Sequence, residues 1–108
     1  MKLLTKANRK SLPALYSTES TELKDKTIRV KFFTPWTNWT WYAVEFDGED
    51  RFFGLVMGQE NEWGYFSLRE LETTKGRFGL SIERDRHFPP QTVQNLIDRK
   101  QIPESVAA

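Results

Sequence analysis

The sequence predicts a single α+β domain over residues 1–108, with an antiparallel β-meander of about four to five strands and three short helices. Short apolar runs alternate with turn residues through the middle of the chain, and capping signals mark helices elsewhere. No linker long enough to separate two domains is present. The 38% hydrophobic and 14% aromatic content also argues against intrinsic disorder.

The N-terminal helix is predicted over residues 5–10, because Pro13 disfavours helical geometry at Leu12 and ends the run. A polar loop over residues 18–26 follows. Residues 27–33 then alternate apolar and basic side chains with a period of two, as a half-buried strand does. This pattern predicts that the apolar members face the core, namely Ile28, Val30 and Phe32.

Three further strands should form a meander, because β-forming residues alternate with turn chemistry. The predicted strands cover residues 39–46, 51–57 and 62–66. Asp47-Gly48-Glu49-Asp50 supplies the first turn, and residues 58–61 supply the second.

A helix over residues 68–73 is predicted from a capping box, in which Ser67 accepts from the third-turn amide and Glu70 reaches back to the cap. This is the helix expected after the third meander strand. The rest of the chain is predicted to form a strand, a C-terminal helix and a frayed tail, over residues 79–84, 90–100 and 101–108.

Composition excludes several kinds of chemistry. The chain has no Cys, so disulfides, thiolate nucleophiles and Cys-ligated metals are ruled out. It carries no phosphate-binding glycine loop, dinucleotide fingerprint or zinc-protease motif, so neither a cofactor nor a metal is predicted. No targeting segment or long apolar run is visible, and we therefore expect a cytoplasmic protein without membrane contact.

Charge is distributed unevenly along the chain. Residues 1–31 contain eight cations and three anions, residues 32–72 contain two cations and eight anions, and residues 73–108 contain six cations and four anions. The basic first third could contact nucleic acid or an acidic protein, or could simply be solvated. The acidic middle argues against a surface that is basic throughout.

Several segments, taken together and in order, resemble a bacterial family known as domain of unknown function 2958. The similarity covers about residues 4–90 and rests on LPALY at 12–16, VKFFTP at 30–35, WTWY at 39–42, FGLV at 53–56, GYFSLREL at 64–71 and IERD at 82–85 followed by His87-Phe88. The resemblance implies no known activity, and it implies a protein often carried on plasmids and other mobile elements. It supplies no established site residue, and Trp36 and Trp63 depart from its usual pattern.

The strand over residues 39–46 is rich in aromatics on both faces. Strict alternation places Trp39, Trp41, Ala43 and Glu45 on one face and the intervening residues, including Phe46, on the other. One face should form the core, while the other could lie under a helix or remain exposed for a partner. The partner-binding candidates are therefore the four tryptophans, Trp36, Trp39, Trp41 and Trp63.

Polar side chains form two further groups of candidates. Glu45 interrupts an apolar run, and if it faces inward it needs a cation such as Arg84 or Arg51, or hydrogen-bond donors. The second group lies at the end of the strand expected over residues 79–84 and comprises Glu83, Arg84, Asp85 and His87. Alternation places its acidic and imidazole groups on one side of the strand and both arginines, Arg84 and Arg86, on the other. A salt-bridge cluster and a catalytic carboxylate–imidazole pair both fit this pattern.

Three functions follow from these observations. The first is a protein-binding accessory module of a mobile-element or host process, anchored by Trp36 and Trp63. The alternative is single-stranded nucleic-acid binding, in which exposed aromatics stack on bases while basic side chains meet phosphates, namely Lys24, Lys26, Arg29 and Lys31. The third is a small enzyme using Glu45, Asp85 or His87, which requires these groups to converge in one pocket.

Overall fold

The computed structural model describes residues 2–108 and has the predicted α+β architecture. Its strands are β1 Thr27–Ile28, β2 Val30–Phe33, β3 Thr40–Phe46, β4 Arg51–Met57, β5 Asn61–Ser67, β6 Glu83–Arg84 and β7 Gln91–Thr92. Its helices are α1 Lys6–Ser11, α2 Leu68–Thr73 and α3 Val93–Asp98, with 3₁₀ turns at Leu23–Asp25, Arg77–Gly79 and Glu104–Ala107.

The main sheet has five antiparallel strands in the order β5-β4-β3-β2-β6. Strands β2 to β5 are consecutive neighbours, so the predicted meander is confirmed. A separate two-stranded ribbon pairs β1 with β7, aligning Thr27 with Thr92. The continuous strand expected over residues 27–33 is therefore divided between two sheets, with the break at Arg29.

Both faces of the main sheet are covered by apolar side chains. The front face packs against the N-terminal segment and α2, in a core formed by Leu3, Leu4, Leu12, Val30, Phe32, Ala43, Phe46, Phe52, Leu68, Leu71 and Ile82. The back face packs against α3 and the C-terminal residues, in a core formed by Ile28, Tyr42, Val44, Leu55, Val93, Leu96, Ile102 and Val106. Coverage of both faces explains why β3 is apolar on both sides.

A β-bulge in β3 changes which side chains share a face. The register with β4 shifts between Ala43 and Glu45, so that Glu45 pairs with Phe53 and Phe46 with Phe52. Phe46 consequently joins Ala43 in the front core instead of opposing it. Val44 still shares the back face with Tyr42, so the strict alternation predicted for this strand is wrong only from Glu45 onward, because a bulge adds one residue to a strand and reverses the facing of those that follow.

The helix predicted over residues 68–73 is present, but its cap differs in one respect. Ser67 Oγ accepts from Glu70 N at 3.2 Å, as expected. Asp50, and not Glu70 as predicted, supplies the second carboxylate contact at this cap. Its Oδ1 accepts from Arg69 N at 2.8 Å and its Oδ2 accepts from Ser67 Oγ at 2.8 Å. The hairpin turn thus caps the helix that follows β5.

This cap gives the fold an acid-sensitive contact. The hydrogen bonds from the Arg69 amide and the Ser67 hydroxyl lower the pKa of Asp50. A carboxyl whose pKa is lower in the folded chain contributes stability above its unfolded pKa, near 3.9, and loses that contribution as pH falls through its folded pKa.

We therefore expect Asp50→Asn, which keeps only one of the two accepting oxygens, to reduce the free energy of unfolding by about 1 kcal/mol at pH 7, with the difference from the unmodified chain shrinking as pH falls below about 4. Urea unfolding between pH 7 and pH 3 measures this, with exposed Glu49→Gln as the matched control. A difference that stays constant with pH would contradict the role of the Asp50 charge.

Two expectations for the second half of the chain are corrected. The strand expected over residues 79–84 is limited to Glu83–Arg84, because Arg77–Gly79 forms a 3₁₀ turn and Phe78 has a positive φ of 58°. The C-terminal residues 101–108 are packed rather than frayed, with Ile102 and Val106 buried in the back core. Among residues 2–108, no helix has the length and apolar character required to cross a membrane.

Candidate functional site

An aromatic groove of about 400 Å³ opens beside the front core, between the β2–β3 connection and α2. Trp36, Trp39, Trp41 and Phe66 line it, together with the polar side chains of Thr34, Thr37, Ser67, Glu70 and Thr74. Trp39 remains 37% exposed, and its ring centroid lies 5.8 Å from that of Trp41. Three of the four predicted tryptophan candidates therefore meet in one place.

The connection between β2 and β3 is folded back on itself by Thr34, which is buried. Thr34 N donates to Trp39 O at 3.1 Å, and Trp39 N donates to Thr34 Oγ1 at 3.2 Å. The hydroxyls of Thr34 and Thr37 also share a hydrogen bond. These contacts fix the positions of Trp36 and Trp39 before any ligand arrives, which lowers the ordering cost of binding.

Two glycines provide space for these indole rings. A Cβ at Gly76 would lie 2.0 Å from Trp36 Cε2, and one at Gly58 would lie 2.5 Å from Trp39 Cη2. A side chain at either position would collide with the ring, so each tryptophan packs directly on backbone. The glycine positions thus shape the groove.

The surroundings of the groove are acidic. Glu70 lines the groove itself, and a second depression of about 450 Å³ on the other side of Trp39 is lined by Val56, Gln59, Glu60 and Glu62. Among the described residues, those lining the two depressions include three carboxylates and no Lys or Arg. Three of the eight acidic residues in the middle third of the sequence therefore lie around the exposed Trp39.

Trp63 lies elsewhere, on the back face of the sheet. Its Nε1 donates to Val106 O at 2.8 Å, and its ring packs on the back core and stacks on Phe53 with a centroid distance of 5.8 Å. This hydrogen bond holds the C-terminal segment in place. Trp63 and Trp36, the two proposed anchors, therefore lie on opposite faces of the sheet and do not contribute to one groove.

Glu45 is 3% exposed and is satisfied by a loop rather than by an arginine. Its carboxylate accepts from Tyr16 N at 2.8 Å, from Thr18 N at 3.1 Å and from the Thr18 hydroxyl. Lys26, 5% exposed, donates to Thr18 O at 2.5 Å and to Thr18 Oγ1 at 3.0 Å. A buried carboxylate and a buried ammonium group are thus connected through one threonine.

The two arginines proposed as partners for Glu45 make other contacts. Arg84 Nε donates to Leu3 O at 2.8 Å, and the Arg51 guanidinium lies 5.8 Å from the Tyr65 ring centroid. Both expectations are wrong because the bulge turns Glu45 toward the back-face loop that contains Tyr16 and Thr18. Sequence reasoning missed Lys26 as its compensating cation, since the pairing runs through a loop residue with no sequence signature.

The polar group after β6 is an exposed edge cluster. Lys31 Nζ lies 3.9 Å from Asp85 Oδ2, and Asp85 Oδ1 accepts from the backbone N of His87 at 2.9 Å. Burial raises the pKa of Tyr42, and the Asp85 charge raises it further. Glu83 and His87 are both exposed. The contact between Asp85 and His87 thus uses the peptide group and not the imidazole.

The convergence that an enzyme would require is not found among residues 2–108. Glu45 lies on β3, whereas Asp85 and His87 follow β6, two strands away in the sheet. Glu45 and Lys26 do border a pocket of about 410 Å³ with Tyr16 and Tyr65, but both carboxylate oxygens of Glu45 already bind the 16–18 loop. No group of three or more His, Asp or Glu in the described part of the chain is arranged to hold a metal.

The four proposed phosphate-binding side chains do not form a basic surface. Lys26 is buried, Lys31 pairs with Asp85, and Arg29 is half-buried with its Nε enclosed. Of the four side chains, only Lys24 is exposed in the described part of the chain. The four cations therefore do not share one exposed surface, because the strand and its preceding turn direct three of them toward protein groups.

Fold and site together define a small α+β domain with a preformed, Trp-lined acidic groove. The chain belongs to the family described as protein of unknown function (DUF2958), which it matches over residues 3–101. Neither the comparison with curated proteins nor that with solved structures found a match. The resemblance identified from the sequence is thereby confirmed, and the matched region extends further at the C-terminus than predicted.

Proposed function

We propose that this protein is a protein-binding accessory module that receives an extended, basic segment of a partner in its aromatic groove. The observation that carries this proposal is the coincidence of Trp36, Trp39 and Trp41 with three carboxylates and no cation along one surface. Its biological setting, as inferred from the family resemblance, is a mobile-element or host process.

The chemistry of the groove favours a Lys or Arg side chain. Cations bind best over indole faces, and Trp39 offers an exposed one. Glu70 on one side and Glu60 and Glu62 on the other supply the opposing charges. The same carboxylates would repel a phosphate backbone, so the tryptophans are poorly placed to stack on nucleic acid.

The aromatic side chains of the groove would add apolar contacts with the partner. Trp36, Trp41 and Phe66 are partly buried side chains packed against the front core, so an apolar residue of the partner would complete an existing cluster. Thr37 and Thr74 place polar atoms at the rim, where a peptide backbone requires donors and acceptors. The expected ligand therefore combines an apolar residue with a neighbouring Lys or Arg.

The proposal is tested by selecting from a random peptide library displayed on phage and measuring the enriched peptides by fluorescence anisotropy. We expect enriched sequences to contain Lys or Arg next to apolar residues. Trp39→Ala should weaken their binding by at least about 30-fold, as truncation of an interface anchor costs about 2 kcal/mol or more. Glu60→Gln combined with Glu62→Gln should weaken binding and reduce its dependence on salt.

Tyr16→Ala is the matched control, because Tyr16 is a 54% exposed aromatic outside the groove. Thermal unfolding of each variant shows that the fold is retained. Enrichment of acidic peptides, or binding that survives Trp39→Ala while Tyr16→Ala abolishes it, would overturn the proposal.

A further inference from the structure

The loop from Lys75 to Ser81 displays an aromatic side chain that is left almost fully exposed by residues 2–108. Phe78 is 96% exposed and has a φ of 58°. The left-handed region costs roughly 1–2 kcal/mol for a residue with a side chain. Because the Phe78 ring is exposed, hydrophobic burial within residues 2–108 does not offset this cost. Exposed aromatics held in uncommon backbone conformations are typical of contact residues.

The loop is nevertheless well defined. Gly76 N donates to Leu80 O at 2.8 Å, and Leu80 N donates to Arg77 O at 3.1 Å. At the base of the loop, Lys75 and Ser81 form an isolated antiparallel β-bridge. Lys75 Nζ also donates to Ser81 Oγ at 2.8 Å. Phe78 therefore stands at the tip of a closed turn and not on a loose segment.

The surface beside this tip is basic and concave. A depression of about 350 Å³ borders Gly79 and Leu80 and is lined by Lys2, Arg84, Arg86 and Glu83. Three cations and one carboxylate thus line the depression, and the loop itself adds Lys75 and Arg77, which gives five cations in this region. Two other acidic groups of this region already have partners, since Glu72 accepts from Leu3 N at 2.9 Å and Asp85 lies 3.9 Å from Lys31 Nζ. None of these five cations forms a salt bridge among residues 2–108.

We propose that this surface, the Phe78 patch, binds a short stretch of single-stranded nucleic acid. A base stacks on the Phe78 ring while the adjacent phosphates lie in the depression between Arg84, Arg86 and Lys2. Ring stacking and cationic contacts to phosphate are the two components of sequence-tolerant single-strand binding. A flexible phosphodiester chain can enter the depression, whereas a flat bilayer surface cannot, so the concavity favours nucleic acid over an anionic membrane.

This inference differs from the basic surface predicted from the sequence. It uses Lys2 and cations of the 75–86 region instead of Lys24 to Lys31. Although Gly76 of the same loop packs on Trp36, the basic depression shares no lining residue with the acidic aromatic groove. It is therefore independent of the proposed peptide binding.

The test is fluorescence anisotropy with a labelled oligothymidylate about 15 nucleotides long, titrated at several salt concentrations. We expect salt-sensitive binding that Phe78→Ala weakens roughly tenfold while leaving the salt dependence unchanged. Phe78→Trp should restore it. Arg77→Gln and Arg86→Gln should each reduce the slope of log K against log salt by about 0.7.

Tyr16→Ala and Arg99→Gln are the matched controls, since both residues are exposed and lie outside the patch. The same variants are tested for sedimentation with phosphatidylserine vesicles. Absence of oligonucleotide binding at low salt, equal binding by all variants, or Phe78-dependent binding to vesicles alone would each overturn the proposal.

Discussion

Replacing Glu45 by Ala is expected to lower the free energy of unfolding by about 3–5 kcal/mol, a large fraction of the total for a domain of this size. The carboxylate is buried, and it accepts from two backbone amides and one hydroxyl of the 16–18 loop. Its loss would leave the buried Lys26 ammonium group without a compensating charge and would release Tyr16, which has a φ of 70°. Urea unfolding measures the change.

Two further variants separate this effect from a simple loss of charge. Glu83→Ala removes an exposed carboxylate and should change stability by less than about 0.5 kcal/mol. Lys26→Met in the Glu45→Ala background should be less harmful than Lys26→Met alone, because the uncompensated cation is removed as well. If Glu45→Ala had the same free energy of unfolding as Glu83→Ala, the contacts from Glu45 to Lys26 through Thr18 would not contribute to stability.

Gly54→Ala is expected to cost about 3 kcal/mol or more and to reduce the yield of folded protein. A Cβ at this position would lie 1.9 Å from Tyr42 O and 3.1 Å from Ala43 Cα. These are backbone atoms of the neighbouring strand, so they cannot turn aside as a side chain could. The close approach occurs next to the β3 bulge, where Ala43 pairs with Gly54.

A matched control is available on the neighbouring strand. Gly64 on β5 pairs with Gly54, and a Cβ on Gly64 would meet nothing within 4 Å. Gly64→Ala should therefore stabilise the protein by about 0.5–1 kcal/mol, because alanine loses less backbone entropy on folding. Thermal and urea unfolding compare the two, and equal effects would contradict the assigned contact.

The elements that depend on local chemistry were predictable from the sequence. The alternation in the meander, the Ser67 cap and the helix that follows it each involve residues within a few positions of one another. Contacts between distant segments were not predictable in this way. The bulge in β3 leaves no local pattern, and it alone reverses the facing of Phe46 and brings Glu45 to the 16–18 loop.

The site was partly predictable for the same reason. Aromatic density singled out Trp36, Trp39 and Trp41, whose neighbours in the groove come mainly from the β2–β3 connection and from residues 66–74. Trp63 carries the same sequence signal, but its hydrogen bond to Val106 depends on where the C-terminus docks. The Phe78 patch was missed because it assembles Lys2 with residues 75–86, and because Gly79 beside Phe78 resembles the start of a strand.

The pairing of β1 with β7 has a consequence for how the chain acquires its structure. The meander strands are joined by short turns, so their hairpins can close within microseconds. Thr27 can meet Thr92 only after a loop containing the whole main sheet has closed, and contacts of such high sequence separation form slowly. We infer that α3 and the C-terminal residues dock last on a preformed meander. The same region, which also depends on Trp63, would then be the first to open in the native state.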